Sequence, residues 1–205
     1  NRTQLIDPRG LFYTTTYDYD GANRMRKQSG PSGTPLDPKA YEVFLEYDNA
    51  NHLISRTDPR SDQILTRFEY DAAGRQTKQI DALDQETLYD YDAAGNQVLM
   101  VDPRAEGDVE TGLFQTRYQY DAANRMIGLI NAEGHATCYI YDTAGNLTLE
   151  ISPRAGLTDC QAAPTDAGFA TRYAYDGLNR REETIDAENH RWTYDHDAVG
   201  HLTHE

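Results

Sequence analysis

The sequence predicts an all-β chain of tandem antiparallel hairpins, and three observations predict it. One phrase is written eight times: YDYDGANRM from Tyr17, LEYDNANHL from Leu45, FEYDAAGRQ from Phe68, YDYDAAGNQ from Tyr89, YQYDAANRM from Tyr118, YIYDTAGNL from Tyr139, YAYDGLNRR from Tyr173 and YDHDAVGHL from Tyr194. Three places after its anchoring aspartate, all eight copies carry glycine or asparagine, the residues that enter left-handed backbone most readily. Ahead of the turn the side chains alternate, so that Tyr89 and Tyr91 share one face while Leu88 and Asp90 share the other, which is the period of a strand.

The elements follow in order along one copy. The strand ends in an aromatic-Asp pair: Tyr19-Asp20, Tyr47-Asp48, Tyr70-Asp71, Tyr91-Asp92, Tyr120-Asp121, Tyr141-Asp142 and Tyr175-Asp176, with His196-Asp197 as the eighth. The aspartate opens a turn by capping its amides, and Asn23, Asn51, Gly74, Gly95, Asn124, Gly145, Asn179 and Gly200 close it in the left-handed region. A second strand follows, making a hairpin with a bulge-type turn. A second kind of turn, Asp81 to Asp84, Asn131 to Gly134 and Asp186 to Asn189, returns the chain to the next copy. In alternate copies that return is replaced by Asp7-Pro8-Arg9, Asp58-Pro59-Arg60, Asp102-Pro103-Arg104 or Ser152-Pro153-Arg154 and a variable insertion. Proline cannot continue a central strand, so the chain leaves the sheet there. Asp71, Asp121 and Asp176 lie 50 and 55 residues apart, so two hairpins make one larger unit and the insertions project from one edge. The expectation is a single array over residues 1–205, with tyrosines of neighbouring copies stacked into ladders. That stripe is read either as the packed interior of the sheet or as an exposed platform.

Composition narrows the partners. A formal net charge of −15 makes nucleic acid and anionic membrane surfaces poor partners. Leu, Ile, Val and Phe total 35 of 205 residues, a share typical of disorder. Against this, ten of the 15 tyrosines are followed directly by aspartate, an order that implies a fold using it. No apolar run is long enough to span a membrane. The chain begins at Asn1 and reads as a piece of something longer. Cys138 and Cys160 are read as two unrelated thiols, with a disulfide between them as the alternative.

Repeated Tyr-Asp-x-x-Gly-Asn or Tyr-Asp-x-x-Gly-Arg, with intervening Asx-Ala turns, resembles the RHS or YD repeat over essentially the whole chain. The resemblance implies a β-sheet strip that spirals and, with enough repeats, closes into a hollow shell, of which this chain would be a segment. It also implies a bacterial, secreted or cell-surface protein, with further repeats of the same parent chain and an enclosed C-terminal toxic polypeptide as partners. The alternative is a cell-surface adhesion or carbohydrate-binding module, with a filament as its variant, and exposed sheet edges are expected to make the piece self-associate. Family members that cleave themselves use an aspartate in P-x-x-x-x-D-P-x-G-L. Asp7-Pro8-Arg9-Gly10-Leu11 matches only the second half, Arg2 stands in the proline's place, and Asp-Pro-Arg recurs at Asp58 and Asp102 as punctuation.

No catalytic residue, cofactor or metal is therefore expected. Asp90 and Asp92 lack the third oxygen of a calcium loop, since Ala94 stands there. His190, His196, His201 and His204 crowd together as zinc ligands would, yet His201 and His196 occupy the repeat positions of Asn96 and Tyr91. Asn146 opens a formal glycosylation sequon and is also a repeat turn residue.

Overall fold

The structure is a computed structural model that describes residues 3–6, 14–30, 42–58, 61–105, 114–161 and 168–204. The described residues are all β apart from two single turns of 3-10 helix, Pro103–Ala105 and Pro153–Ala155. The chain divides into two compact units, Asn1–Tyr89 and Asp90–Glu205. The first holds β1 (Gln4–Ile6), β2 (Thr14–Tyr19), β3 (Met25–Ser29), β4 (Glu42–Tyr47), β5 (Leu53–Asp58), β6 (Ser61–Tyr70), β7 (Gln76–Ile80) and the start of β8 (Glu86–Tyr91). The second holds β9 (Gln97–Val101), β10 (Gln115–Tyr120), β11 (Met126–Ile130), β12 (Ala136–Tyr141), β13 (Leu147–Ile151), β14 (Ala170–Tyr175), β15 (Arg181–Ile185) and β16 (Arg191–Thr193). Within each unit, sheet order is sequence order and neighbours run antiparallel.

The last hairpin, β17 (Asp195–His196) with β18 (Leu202–His204), forms a two-stranded sheet of its own. Glu182, Glu183 and Asp195 line an open cavity of about 470 Å3 where pairing would have continued. Like charges on neighbouring strands disfavour that pairing.

The phrase of the sequence becomes one conformation. In the fifth copy the Asp121 amide donates to the Arg125 carbonyl and the Asn124 amide to the Asp121 carbonyl, both at 3.0 Å. Asp121 Oδ1 accepts the amides of Ala123 and Arg125 at 2.8 and 3.0 Å. Asn23, Asn51, Asn124 and Asn179 have φ between 60° and 73°, and Gly74, Gly95, Gly145 and Gly200 between 79° and 93°. The return turns end the same way at Asp84, Gly134 and Asn189. Just beyond the aspartate turn in seven of the hairpins the second strand carries one extra residue, as Thr148 does between the pairs Tyr141 with Leu147 and Ile140 with Leu149. The Thr148 hydroxyl donates to the Ile140 carbonyl at 3.1 Å across this bulge.

Register separates the two faces of the second unit. Tyr118, Tyr120, Tyr139, Tyr141, Tyr173 and Tyr175 lie on one face opposite Leu129, Met126, Glu150, Leu147, Thr184 and Arg181. The expected ladder of stacked tyrosines is thus corrected: a strand that places no tyrosine there separates each tyrosine strand from the next. Two strand spacings, about 9.6 Å, are too far for ring stacking. The buried cluster, Ala136, Cys138, Leu149, Ile151, Cys160 and Ala170, lies on the other face. The tyrosines are half-buried.

Candidate functional site: the turn clasp and the strap

In six copies the residue after the left-handed position, Arg24, His52, Asn96, Arg125, Asn146 or Arg180, joins one copy to the next. Arg125 Nε donates to Asp121 Oδ2 at 2.7 Å, its Nη1 reaches the Asp142 carbonyl at 3.2 Å, and its guanidinium lies 4.8 Å from the Tyr141 ring. Arg24 repeats this on Asp20, the Asp48 carbonyl and the Tyr47 ring, and Arg180 reaches Asp176 and the Asp197 carbonyl. His52 takes the place of arginine in the second copy. It bonds Asp48 at 2.9 Å and stacks on Tyr70 with ring centroids 4.7 Å apart.

In four copies the tyrosine preceding the aspartate answers in the opposite direction. Tyr47 donates its hydroxyl to the Met25 carbonyl, Tyr70 to Leu53, Tyr141 to Met126 and Tyr175 to Leu147, at 2.8 to 2.9 Å. Each acceptor stands five places after the aspartate of the preceding copy. Alternation in the sequence put these tyrosines on one face; the hydroxyl latch carried no signal beyond the invariance of the spacing.

The choice between asparagine and glycine at the left-handed position also depends on the preceding copy. Asn51, Asn124 and Asn179 each accept a side-chain hydrogen bond at 2.9 Å, from Arg24, Asn96 and Asn146 respectively. Gly74 instead faces the imidazole of His52, and a Cβ there would come within 2.7 Å of Nε2.

These bonds set the charge of the turns. Asp20, Asp71, Asp121, Asp176 and Asp197 are held below the ordinary carboxylate pKa foremost by the backbone amide four places on, and Asp92 and Asp142 foremost by the Asn96 and Asn146 side chains. For Asp48 burial is the largest influence and opposes the shift, but the bonds from His52 and Ala50 prevail and its pKa is lowered too. Burial pushes the hydroxyls of Tyr70, Tyr120, Tyr139, Tyr141 and Tyr173 above their ordinary value.

The second feature is a strap. Cys138 and Cys160 form a disulfide with Cα atoms 5.3 Å apart, which corrects the reading as two unrelated thiols. The segment leading to Cys160 crosses the face opposite the tyrosines. There the Ala136 amide bonds the Leu157 carbonyl at 2.7 Å, and the Gln119 side chain bonds both the Cys160 amide and Asp159 at 3.0 Å. Gly128 admits the bridge, for a Cβ there would meet Gln119 Oε1 at 2.8 Å and Cys160 Sγ at 2.9 Å.

Other candidates fall as follows. Asp92 is engaged by Asn96, and Asp90 Oδ1 accepts the Tyr91 amide. The four histidines do not converge. Among the described residues it is Asp186, Glu188 and His190 whose ligand atoms lie within 4.8 Å of one another, exposed at a return turn, with His190 hydrogen bonded to Asp186. That bond raises the His190 pKa. Asn146 binds Asp142 and Asn179. Asp7, Pro8, Arg9, Gly10 and Leu11, Pro59 and Arg60 lie outside the described residues.

A chain of antiparallel hairpins, clasped copy to copy through equivalent Asx turns, is a β-repeat protein. The family described as RHS Repeat matches residues 47–86 and 70–106. No curated protein matches the chain. Among solved structures, TcdB2-TccC3-TEV is similar at 17% identity and a TM-score of 0.68, over 98% of this chain and 11% of that one. TcdB2-TccC3-Cdc42 is similar at 18% identity and a TM-score of 0.66, over 93% and 11%. A Photorhabdus luminescens Tc holotoxin pore with a mutated TccC3 is similar at 17% and 0.63, also over 93% and 11%. The chain thus has their fold over about a tenth of their length.

Proposed function

We propose that this chain is a wall segment of an RHS shell whose role is mechanical: it confines a polypeptide of the same parent protein inside a secreted bacterial toxin. The observation that carries the reading is the clasp. Its tyrosines, aspartates and left-handed residues bind the neighbouring copy rather than a ligand, so the repeat motif is spent on making a continuous wall. Tyr47, Tyr70, Tyr141 and Tyr175 have their hydroxyls occupied by backbone carbonyls, which leaves fewer groups for reading a sugar and weakens the adhesion alternative.

Further repeats of the parent would extend the sheet, and the tyrosine face, which the strap leaves uncovered, would meet the enclosed chain. The test is electron microscopy of the parent protein with peptide sequencing of its C-terminal region. An enclosed volume holding a cleaved C-terminal polypeptide is the expected result; a solid or open assembly without one overturns the proposal.

A further inference from the structure

The two insertions of the second unit begin and end alike, and the difference between them points to a binding site. Each starts on a one-turn 3-10 helix and closes on an exposed phenylalanine in left-handed backbone, Phe114 and Phe169, both with φ of 58°. The amides of Asp102 and Ser152 bond the carbonyls of these phenylalanines at 2.9 Å. A bulky side chain at positive φ is uncommon, and here it recurs at the same repeat position.

In the first copy the cation is neutralised. Asp102 takes two hydrogen bonds from Arg104, at 2.7 and 3.0 Å, and the guanidinium lies 5.0 Å from the Phe114 ring. In the second copy Ser152 replaces the aspartate and bonds only the Arg154 backbone amide. Among the described residues no carboxylate forms an ion pair with Arg154. One further exchange accompanies this: Glu150 stands where the first copy has Met100, and its carboxylate accepts the Tyr173 hydroxyl at 3.2 Å. Glu150, Ser152, Arg154, Phe169, Thr171 and Ala187 line one open cavity of about 180 Å3.

We propose that this cavity binds a small zwitterion of the α-amino acid type, its carboxylate on Arg154, its ammonium on Glu150 and an apolar side chain against Phe169. Cation and anion face one space without pairing with each other, so a ligand with both charges satisfies both. A simple anion would meet Glu150, and a simple cation Arg154. The volume suits a molecule of amino-acid size and is below that of most cofactor pockets.

The test is titration of the protein with L-valine, isovalerate and valinamide, read from the amide resonances of Thr171 and Ala187. Saturable shifts with L-valine, and binding of the two singly charged analogues at least about tenfold weaker, are expected because each leaves one charge unmatched. S152D restores to Arg154 the partner Arg104 has, and should abolish the shifts while leaving the rest of the spectrum in place. R154Q should do the same. No saturable shift with L-valine, equal binding of the three compounds, or undiminished binding by S152D would each overturn the proposal.

Discussion

Asparagine 124 and the glycines that stand in its place in other copies show how far one residue can be read. Its left-handed φ of 60° was legible, because only a few residue types tolerate that backbone. Why asparagine and not glycine was not legible, since the reason lies in Asn96, 28 residues away. N124A should therefore destabilise the second unit by about 1 to 2 kcal/mol in urea unfolding through backbone strain, and N124G, which keeps the backbone and loses only the Asn96 bond, should cost less. The anchoring aspartates predict a pH dependence. Their folded pKa lies below the ordinary 3.8, so the unfolded chain takes up protons first as pH falls. Their contribution is full above the unfolded value and is lost as pH drops through the folded one. Urea midpoints should be flat in the mildly acidic range and fall together below about pH 4. His190 has the opposite sign: its pKa is raised, so its contribution is present below the ordinary 6.5 and lost as pH rises through the folded value.

At the scale of the element, strands and turns were readable because each copy repeats the same local rules of alternation and turn chemistry. The partners of those elements were not. The tyrosine strands were expected to meet one another, whereas register places Leu129, Met126, Leu147 or Glu150 opposite them. The hydroxyl latch then does the joining. Y141F should lower stability by about 1 kcal/mol with an unchanged far-ultraviolet spectrum, as loss of one hydrogen bond to a carbonyl does. The disulfide was open to sequence reasoning as an alternative, but the course of the strap was not: Gly128 has no left-handed backbone and gives no turn signal, and its lack of a side chain matters because Gln119 and Cys160 lie over it. G128A should cost about 1 to 3 kcal/mol by overpacking. In a background with Cys160 replaced by alanine the clash with its Sγ is gone while those with Gln119 and the Cβ at 160 remain, so only part of that cost should vanish, a coupling that a double-mutant cycle measures.

For the whole molecule, the two compact units differ in how they are held. Only the second contains the disulfide, which closes a loop of 22 residues. On the loop-entropy account such a bridge contributes about 3 kcal/mol. Replacing both cysteines with alanine should therefore weaken hydrogen-exchange protection in β11 to β14 while leaving β2 to β7 unchanged; equal loss in both units would contradict that division. Because Cys138 is fully buried and Cys160 nearly so, a thiol reductant should open the bridge only as fast as the strap itself lifts. The architecture was readable at this scale, because a repeat that returns by a short turn places consecutive strands side by side. The division into two units was not, since the phrase is the same on both sides of it.

Sheet order that follows chain order within each unit has a consequence for how such a protein is made and how it changes. A strand leaving the ribosome needs only the strand synthesised just before it, so assembly can keep pace with translation and no distant segment must be awaited. The same geometry makes the gene tolerant of copying errors. Gain or loss of one fifty-residue block adds or removes four strands, an even number, so the next strand still runs in the direction its neighbour requires and the tyrosines stay on their face. Lengths of such proteins can therefore drift in whole blocks, while a slip of one hairpin alone would exchange an insertion-bearing return for a short one.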